Sequence, residues 1–296
     1  LQGCARSTGY QGGLRPIVVG DPAGGLFMRI PYLPPPYAAG QLVDGAGVFA
    51  VPPGRSFVKV RPDCRFDRTF QLAEFIPGDP SNGGLTIARA GGLLYVGGAR
   101  PTSPTTESVG RVAVFNATTG ALVAARDLTS LGVAFVEGVA PDGRAVIIGR
   151  LRGVLGTNMV AALLDVASGA VTALTPATGL LFAKLIGTTL YLQPSIGTTL
   201  HAFDVVTGQP KAGWTNPSLG VTDIEASGGR LFVATSGGGN SGLVALSEAT
   251  GLVDPTWTAP ALTLASAGPG VQRLGLLGTR LYVRGPAVRA VGGSQR

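Results

Sequence analysis

Charge is scarce in this chain. Asp, Glu, Lys and Arg together make up 13% of its 296 residues, against about 25% in a typical soluble protein. Histidine occurs once, at His201, and tryptophan twice, at Trp214 and Trp257. Cysteine occurs only as Cys4 and Cys64, which excludes a zinc site of the CxxC type. No run offers the roughly 20 clean apolar residues of a transmembrane helix. The longest weakly charged stretch, 153–200, is broken by Gly, Pro, Thr, Asp165 and Lys184. Long helices are disfavoured by 47 Gly and 22 Pro, which suit short strands and tight turns instead. Disorder is excluded too, because Val, Leu and Ile are plentiful and the net charge of +7 is small for the length.

What is abundant is a repeat. A glycine-containing turn leads into an apolar–aromatic strand at Gly91 to Val96, Asp142 to Ile147, Gly187 to Leu192, Gly228 to Val233 and Gly278 to Val283, with a weaker copy at Gly45 to Val51. A second signature follows the four middle copies: Phe115-Asn116-Ala117-Thr118-Thr119-Gly120, Leu164 to Gly169, Phe203 to Gly208 and Leu246 to Gly251. Its closing glycines are 49, 39 and 43 residues apart, near the period of about 40–45 residues of a four-stranded propeller blade. Trp214 and Trp257 each lie six residues beyond such a glycine. Ser130-Leu131-Gly132-Val133 returns 88 residues later as Ser218-Leu219-Gly220-Val221, followed at equal distance by Glu137 and Glu225.

The pattern predicts an all-β chain, a β-propeller of six four-stranded blades, or seven if residues 14–40 form one. The blades run at about 41–80, 82–130, 133–176, 179–217, 219–260 and 264–296. Residues 1–40 form an N-terminal segment and 41–296 the propeller domain. Pro16 to Val19 and Leu26 to Ile30 are candidate strands, one of them expected to complete the last blade and close the ring. Pro31 to Pro36 reads as an extended connector, since proline cannot donate to a sheet.

The Gly-Gly-Arg-Leu-Phe-Val strand and the Phe-Asp-x-x-Thr-Gly turn followed by Trp resemble bacterial extracytoplasmic propeller repeats of the delta-60 and quinoprotein-like types. The likeness covers about residues 82–290 and concerns architecture. It implies an exported or surface protein. Quinoprotein dehydrogenases carry adjacent cysteines, a Trp docking motif in each blade and acidic metal ligands. This chain lacks that set, so no quinone or other cofactor is expected.

Candidate site residues are few. Cys4 and Cys64 offer two alternatives, both extracytoplasmic: a disulfide pinning the N-terminal segment, or a lipid anchor at Cys4, because Leu1-Gln2-Gly3-Cys4 resembles a lipobox. Glu137 and Glu225 sit on expected inner strands and are candidates for lining the central channel. Trp214 and Trp257 are candidates for binding a carbohydrate or peptide, against packing between blades. His201 takes the slot of Ala113, Ala162 and Val244 in other blades, and Asp204 lies three residues on. As a base, His201 would need a nucleophile and an orienting acid nearby. Asn116, Asp165 and Asp204 have a turn-capping role to fill. Gly237 to Asn240 reads as a hairpin tip, since no Lys and Ser/Thr of a phosphate loop follow it.

The basic residues are 20 Arg and only 3 Lys, mostly scattered, unlike a nucleic-acid surface with its clustered charge and interleaved aromatics. Arg55, Lys59, Arg61, Arg65 and Arg68 are offset by Asp63 and Asp67, whereas nothing acidic follows Asp254, where Arg273, Arg280, Arg284, Arg289 and Arg296 lie. The function expected is a non-enzymatic scaffold or platform binding protein or glycan, or a self-assembling surface subunit. A membrane would be met only through an anchor at Cys4. The alternative is a lactonase-, lyase- or glycosidase-like propeller enzyme with an axial site.

Overall fold

The computed structural model describes residues 18–20, 25–29, 40–44, 47–51, 57–70, 86–101, 108–151, 159–174, 179–235, 242–259, 273–277, 280–284 and 288–290. It divides into two compact units, Leu1–Ala173 and Leu174–Arg296. All regular structure among these residues is β, and every strand pairing is antiparallel.

The first unit opens with β1 (Val18–Gly20), β2 (Leu26–Arg29), β3 (Gly40–Asp44), β4 (Gly47–Val51) and β5 (Phe57–Val60). Two four-stranded sheets follow. One is built of β6 (Thr86–Ala90), β7 (Leu93–Pro101), β8 (Ser108–Asn116) and β9 (Leu122–Leu128). The other holds β10 (Leu131–Val139), β11 (Ala145–Leu151), β12 (Met159–Leu164) and β13 (Val171–Ala173). The second unit holds three sheets. They are β14 (Leu180–Ile186), β15 (Thr189–Pro194), β16 (His201–Asp204) and β17 (Gln209–Pro210); then β18 (Val221–Ser227), β19 (Arg230–Thr235) and β20 (Leu243–Ser247); then β21 (Arg273–Leu277), β22 (Arg280–Arg284) and β23 (Val288–Ala290). Sequential strands are neighbours throughout the last five sheets, the up-and-down order of a propeller blade.

The outermost strand weakens along the second unit. β17 is only two residues long and ends in Pro210, which an edge position tolerates. In the next sheet the fourth strand shrinks to one bridge, Leu246 to Val253.

The N-terminal region departs from expectation. Residues 41–80 do not make one blade: β3 and β4 form a separate hairpin, and β5 joins β2 in a sheet ordered β1-β2-β5. Of the two candidate closing strands, β1 is an edge strand that pairs with β2, and β2 is the central strand, pairing with β1 and β5. Side-chain burial explains the choice. Phe27 is fully buried and meets Phe70 at 5.5 Å, in one cluster with Ile87, Leu94, Val96, Ala113 and Phe115. At Gly25 a Cβ would lie 2.4 Å from the Val60 carbonyl oxygen, so β5 closes against a bare backbone.

The recurring turn is built as its residues require. Asn116 Oδ1 accepts from the amides of Thr118 and Thr119 at 2.8 and 3.0 Å. Asp165 Oδ1 does so from Ala167 and Ser168 at 2.9 and 3.2 Å. Asp204 Oδ1 does so from Val206 and Thr207 at 2.7 and 3.4 Å. The closing Gly120, Gly169, Gly208 and Gly251 have φ of 77°, 82°, 71° and 74°, and each amide donates back to the first residue of its turn at 2.8 Å. Three of these are Asx turns and the fourth is its serine counterpart at Ser247, each ended by a left-handed glycine.

Two measurements test this. Gly187 (φ +58°) has open space at its Cβ position, whereas Gly251 (φ +74°) would place a Cβ 3.0 Å from the Trp214 ring. Gly187→Ala should cost about 1 kcal/mol and Gly251→Ala about 2–3 kcal/mol, the excess being the clash; equal shifts of the urea midpoint would refute the packing. Asp254 accepts from Thr256 Oγ1 and from Arg230 Nε, each at 2.6 Å, and these bonds hold its carboxyl down at about 2. A depressed carboxyl stabilises the fold above the unfolded value of about 3.9 and loses that contribution as pH falls toward the folded value. Asp254→Asn should therefore be less stable than the parent near neutrality and converge with it below pH 2. A constant difference across the acid range would contradict this.

Candidate functional site

The innermost strands share a defect. A register shift falls between Leu131 and Val133 in β10, Leu180 and Phe182 in β14, and Val221 and Asp223 in β18. Each is a β-bulge, which re-aims the side chains beside it. The bulged residues are Gly132, Leu181 and Thr222.

In the second unit two of the bulged strands carry a cluster of three charges, Lys184, Asp223 and Glu225. Lys184 Nζ on β14 donates to Asp223 Oδ1 at 3.0 Å, Ile224 O at 2.5 Å and Glu225 Oε1 at 2.9 Å, all three on β18. The ammonium has three donors, and all are used. The Asp223 side chain is 4% exposed. Its Oδ1 also accepts the Ile224 amide at 2.9 Å, and its Oδ2 accepts the Leu274 amide of β21 at 2.9 Å. One buried carboxylate thus ties three successive inner strands together. Lys184 and Glu225 remain about one-quarter exposed at the rim of this bridge.

Similar links join other neighbouring sheets. Thr86 Oγ1 on β6 accepts the Val136 amide on β10 at 2.6 Å. The Gln193 side chain, 2% exposed, accepts from the Val221 amide at 2.9 Å and donates to the Leu219 carbonyl at 2.8 Å. Cations bind the recurring turns from outside. Lys59 donates to the Ala117 carbonyl at 3.4 Å and Lys211 to that of Glu248 at 2.9 Å, and Arg126 donates to that of Ala167.

Glu225 therefore enters the site, as an ion-pair partner of Lys184. Glu137 lies on β10, partly buried, inside a second register shift between Val136 and Gly138. Glu225 instead pairs in register with Phe232. The 88-residue repeat that equated the two glutamates breaks at that extra residue. They belong to different units.

Both tryptophans face protein. Trp214 is 8% exposed, donates Nε1–H to the Leu200 carbonyl at 3.2 Å and meets Tyr191 edge-on at 5.4 Å. Trp257 meets Phe232 edge-on at 5.5 Å and packs on a cluster containing Leu274 and Val283. Each thus docks on the aromatic of its own sheet's second strand, and Trp214 offers no ring to solvent. Burial, with the charge of Glu248 in addition, pushes the Tyr191 hydroxyl far above its ordinary value.

His201 pairs across the sheet with Leu192, as Ala113, Ala162 and Val244 pair with Val96, Ile147 and Val233. Asp204 is committed to its turn. Cys64 is disulfide-bonded and sits at φ 65° in a turn where its amide donates to the Arg61 carbonyl at 2.9 Å. Cys4, Arg55, Arg296 and Gly237 to Asn240 lie outside the described residues. Asp63 and Asp67 are engaged with Arg61 at 3.1 Å and Lys59 at 4.0 Å. Arg273, Arg284 and Arg289 are placed on β21, β22 and β23.

Sequence reasoning missed Lys184, Asp223 and Gln193. A signal existed for two of them. Asp223 and Glu225 are acids two apart on an inner strand, hence on one face, in a chain with only 3 lysines to answer them.

No protein-family profile and no curated protein matches the chain. Among solved structures it is similar to puromycin hydrolase at 15% identity and a TM-score of 0.50, over 95% of this chain and 50% of that one. It is also similar to an oligogalacturonate lyase in complex with manganese (13% identity, TM-score 0.49, 72% and 64%). A third similarity is to PorZ, a bacterial surface component of the type-IX secretion system of Porphyromonas gingivalis (19%, 0.43, 67% and 25%). The chain spans about half the length of puromycin hydrolase and a quarter of PorZ. At these identities the likeness concerns the fold, which is all-β and β-propeller-like.

If Asp223 is the tie between strands, its substitutions should rank in a fixed order. Asp223→Leu strands the Leu274 amide, removes one of the three acceptors of Lys184 and should cost about 3 kcal/mol or more. Asp223→Asn keeps an acceptor and should cost about half that. Glu225→Gln, at the exposed rim, should stay under about 1 kcal/mol. Chemical denaturation of the three variants gives the ranking, and a Glu225 effect equal to that of Asp223→Leu would overturn it.

Proposed function

We propose that this chain is an exported, non-enzymatic β-propeller of the delta-60 or quinoprotein-like repeat type that serves as a docking platform for another protein. One observation carries the reading. Leu181 and Ile196 are 66% and 87% exposed on adjoining segments, which the bond from the Ser195 amide to the Gly179 carbonyl (2.9 Å) holds together. Leu181 is the bulged residue of β14, and β18 makes the equivalent bulge with Thr222. The backbone there does not require leucine. An apolar side chain placed in water where threonine serves the fold equally well fits a surface that is covered in use. The export half of the reading is supported by the disulfide at Cys64, since such bonds persist in oxidising compartments. Cys4 is its proposed partner.

The two halves are tested on native material. A photo-crosslinking residue at position 196 in producing cells should yield a discrete adduct with one protein, and Leu181→Asp should abolish it at an unchanged melting temperature. No adduct, or one indifferent to Leu181→Asp, would sink the docking face. The intact mass should be lighter by a hydrogen pair that reduction restores. A chain beginning at an acylated Cys4 would replace the bridge with a lipid anchor.

A further inference from the structure

The second strands of two successive sheets make the same ring contact with different chemistry. On β15, Tyr191 meets Trp214 edge-on at 5.4 Å; on β19, Phe232 meets Trp257 edge-on at 5.5 Å. Both rings are buried, at 0% and 6% exposure. The contact itself therefore asks only for a phenyl ring. Tyr191 adds a hydroxyl, and a hydroxyl taken out of water costs stability unless it is hydrogen-bonded. Tyr95, which follows Leu94 on β7 as Tyr191 follows Leu190 on β15, shows the usual answer. Its hydroxyl donates to the Gly143 carbonyl at 2.9 Å. Tyr191 Oη is buried and meets no hydrogen-bond partner among the described residues.

The surroundings of that oxygen are polar. Thr189 stands two residues back on β15, on the same face, and is 6% exposed. Its hydroxyl is near enough to hold back part of the rise in the Tyr191 pKa, yet the two make no hydrogen bond. Thr189 Oγ1 accepts instead from Lys211 Nζ at 3.3 Å, and the same ammonium donates to the Glu248 carbonyl at 2.9 Å. Lys211 Nζ also lies 6.0 Å from the centroid of the Trp214 ring that packs on Tyr191. The charge of Glu248, in the turn after β20, reaches the Tyr191 hydroxyl too. All of these residues belong to the second unit.

These groups define what would satisfy them. The Tyr191 hydroxyl needs an acceptor, the Lys211 ammonium has a third proton, and Thr189 Oγ1 has a second lone pair. One molecule that accepts twice and donates once serves all three. Water is the smallest that does, and about three hydrogen bonds is the usual number for a buried water. An anion would meet the Glu248 charge, and a cation the Lys211 ammonium.

We propose that Tyr191, Thr189 and Lys211 bind one ordered water between the sheet of β14 to β17 and the sheet of β18 to β20. The water does for Tyr191 what the Gly143 carbonyl does for Tyr95. The site is separate from Leu181 and Ile196, so it stands or falls without the docking face.

High-resolution crystallography of the full chain and chemical denaturation of its variants test this. A water oxygen should lie within hydrogen-bonding distance of Tyr191 Oη, Thr189 Oγ1 and Lys211 Nζ. Tyr191→Phe should lower the folding equilibrium constant about fivefold, as Tyr95→Phe should by losing its direct bond. Phe232 shows that the ring alone suits this place, so the variant keeps its packing. A hydroxyl buried dry predicts the opposite sign, because its removal then stabilises the fold. In a Thr189→Val background the water has lost a partner, and Tyr191→Phe should cost markedly less than it does alone. A Tyr191→Phe variant at least as stable as the parent, additive effects of the two substitutions, a direct protein acceptor on Tyr191 Oη, or an ion in place of the water would each overturn the proposal.

Discussion

An inner strand has one edge that its own sheet cannot pair, and this constraint organises the described structure. Backbone amides left unpaired in a buried place cost as much as a lost hydrogen bond. Each unit answers with side chains reaching from one sheet to the inner strand of the next: Thr86 to the Val136 amide, Gln193 to Val221, Asp223 to Leu274. The chemistry differs at each link, a hydroxyl, an amide and a carboxylate, but the task is the same. Asp223 is the strongest version because the Lys184 ammonium compensates its charge. A buried carboxylate without such a cation would be a liability.

The links also explain which parts of the fold were legible in the sequence. The turn signature Asn/Asp-x-x-Thr/Ser-Gly is local. Its donor, acceptor and left-handed glycine lie within five residues, so its spacing located strands β6 to β20 and the boundaries between sheets. The pairing of β5 is not local. Phe57 to Val60 looks like the third strand of a blade begun by β3 and β4, yet it pairs with β2. What decides this is the room left by Gly25 and the burial of Phe27 against Phe70. Neither contact leaves a period in the sequence.

The candidate site was legible in part for a related reason. Glu225 was visible because a repeat pointed to it, whereas Lys184, Asp223 and Gln193 occupy places where the blades differ. The repeat misled once, at Glu137. An identical four-residue run upstream gave Glu137 and Glu225 the same offset, and a second bulge in β10 put them at different places in the ladder. Short identity fixes a register only up to the next bulge.

Departure from the repeat is also where function should be sought in a chain of this kind. Residues that recur between blades are explained by the blade: the turn side chains by their amides, the glycines by their backbone, the tryptophans by Tyr191 and Phe232. What the blade leaves unexplained is non-recurrent. Leu181 stands where β18 holds Thr222, and its side chain is 66% exposed. Exposed there, the leucine costs the isolated chain apolar surface in water. That cost is relieved where an apolar surface covers the side chain. A scaffold whose repeat supplies rigidity can carry such a local penalty at positions that take no part in tying its sheets together, as Asp223 does.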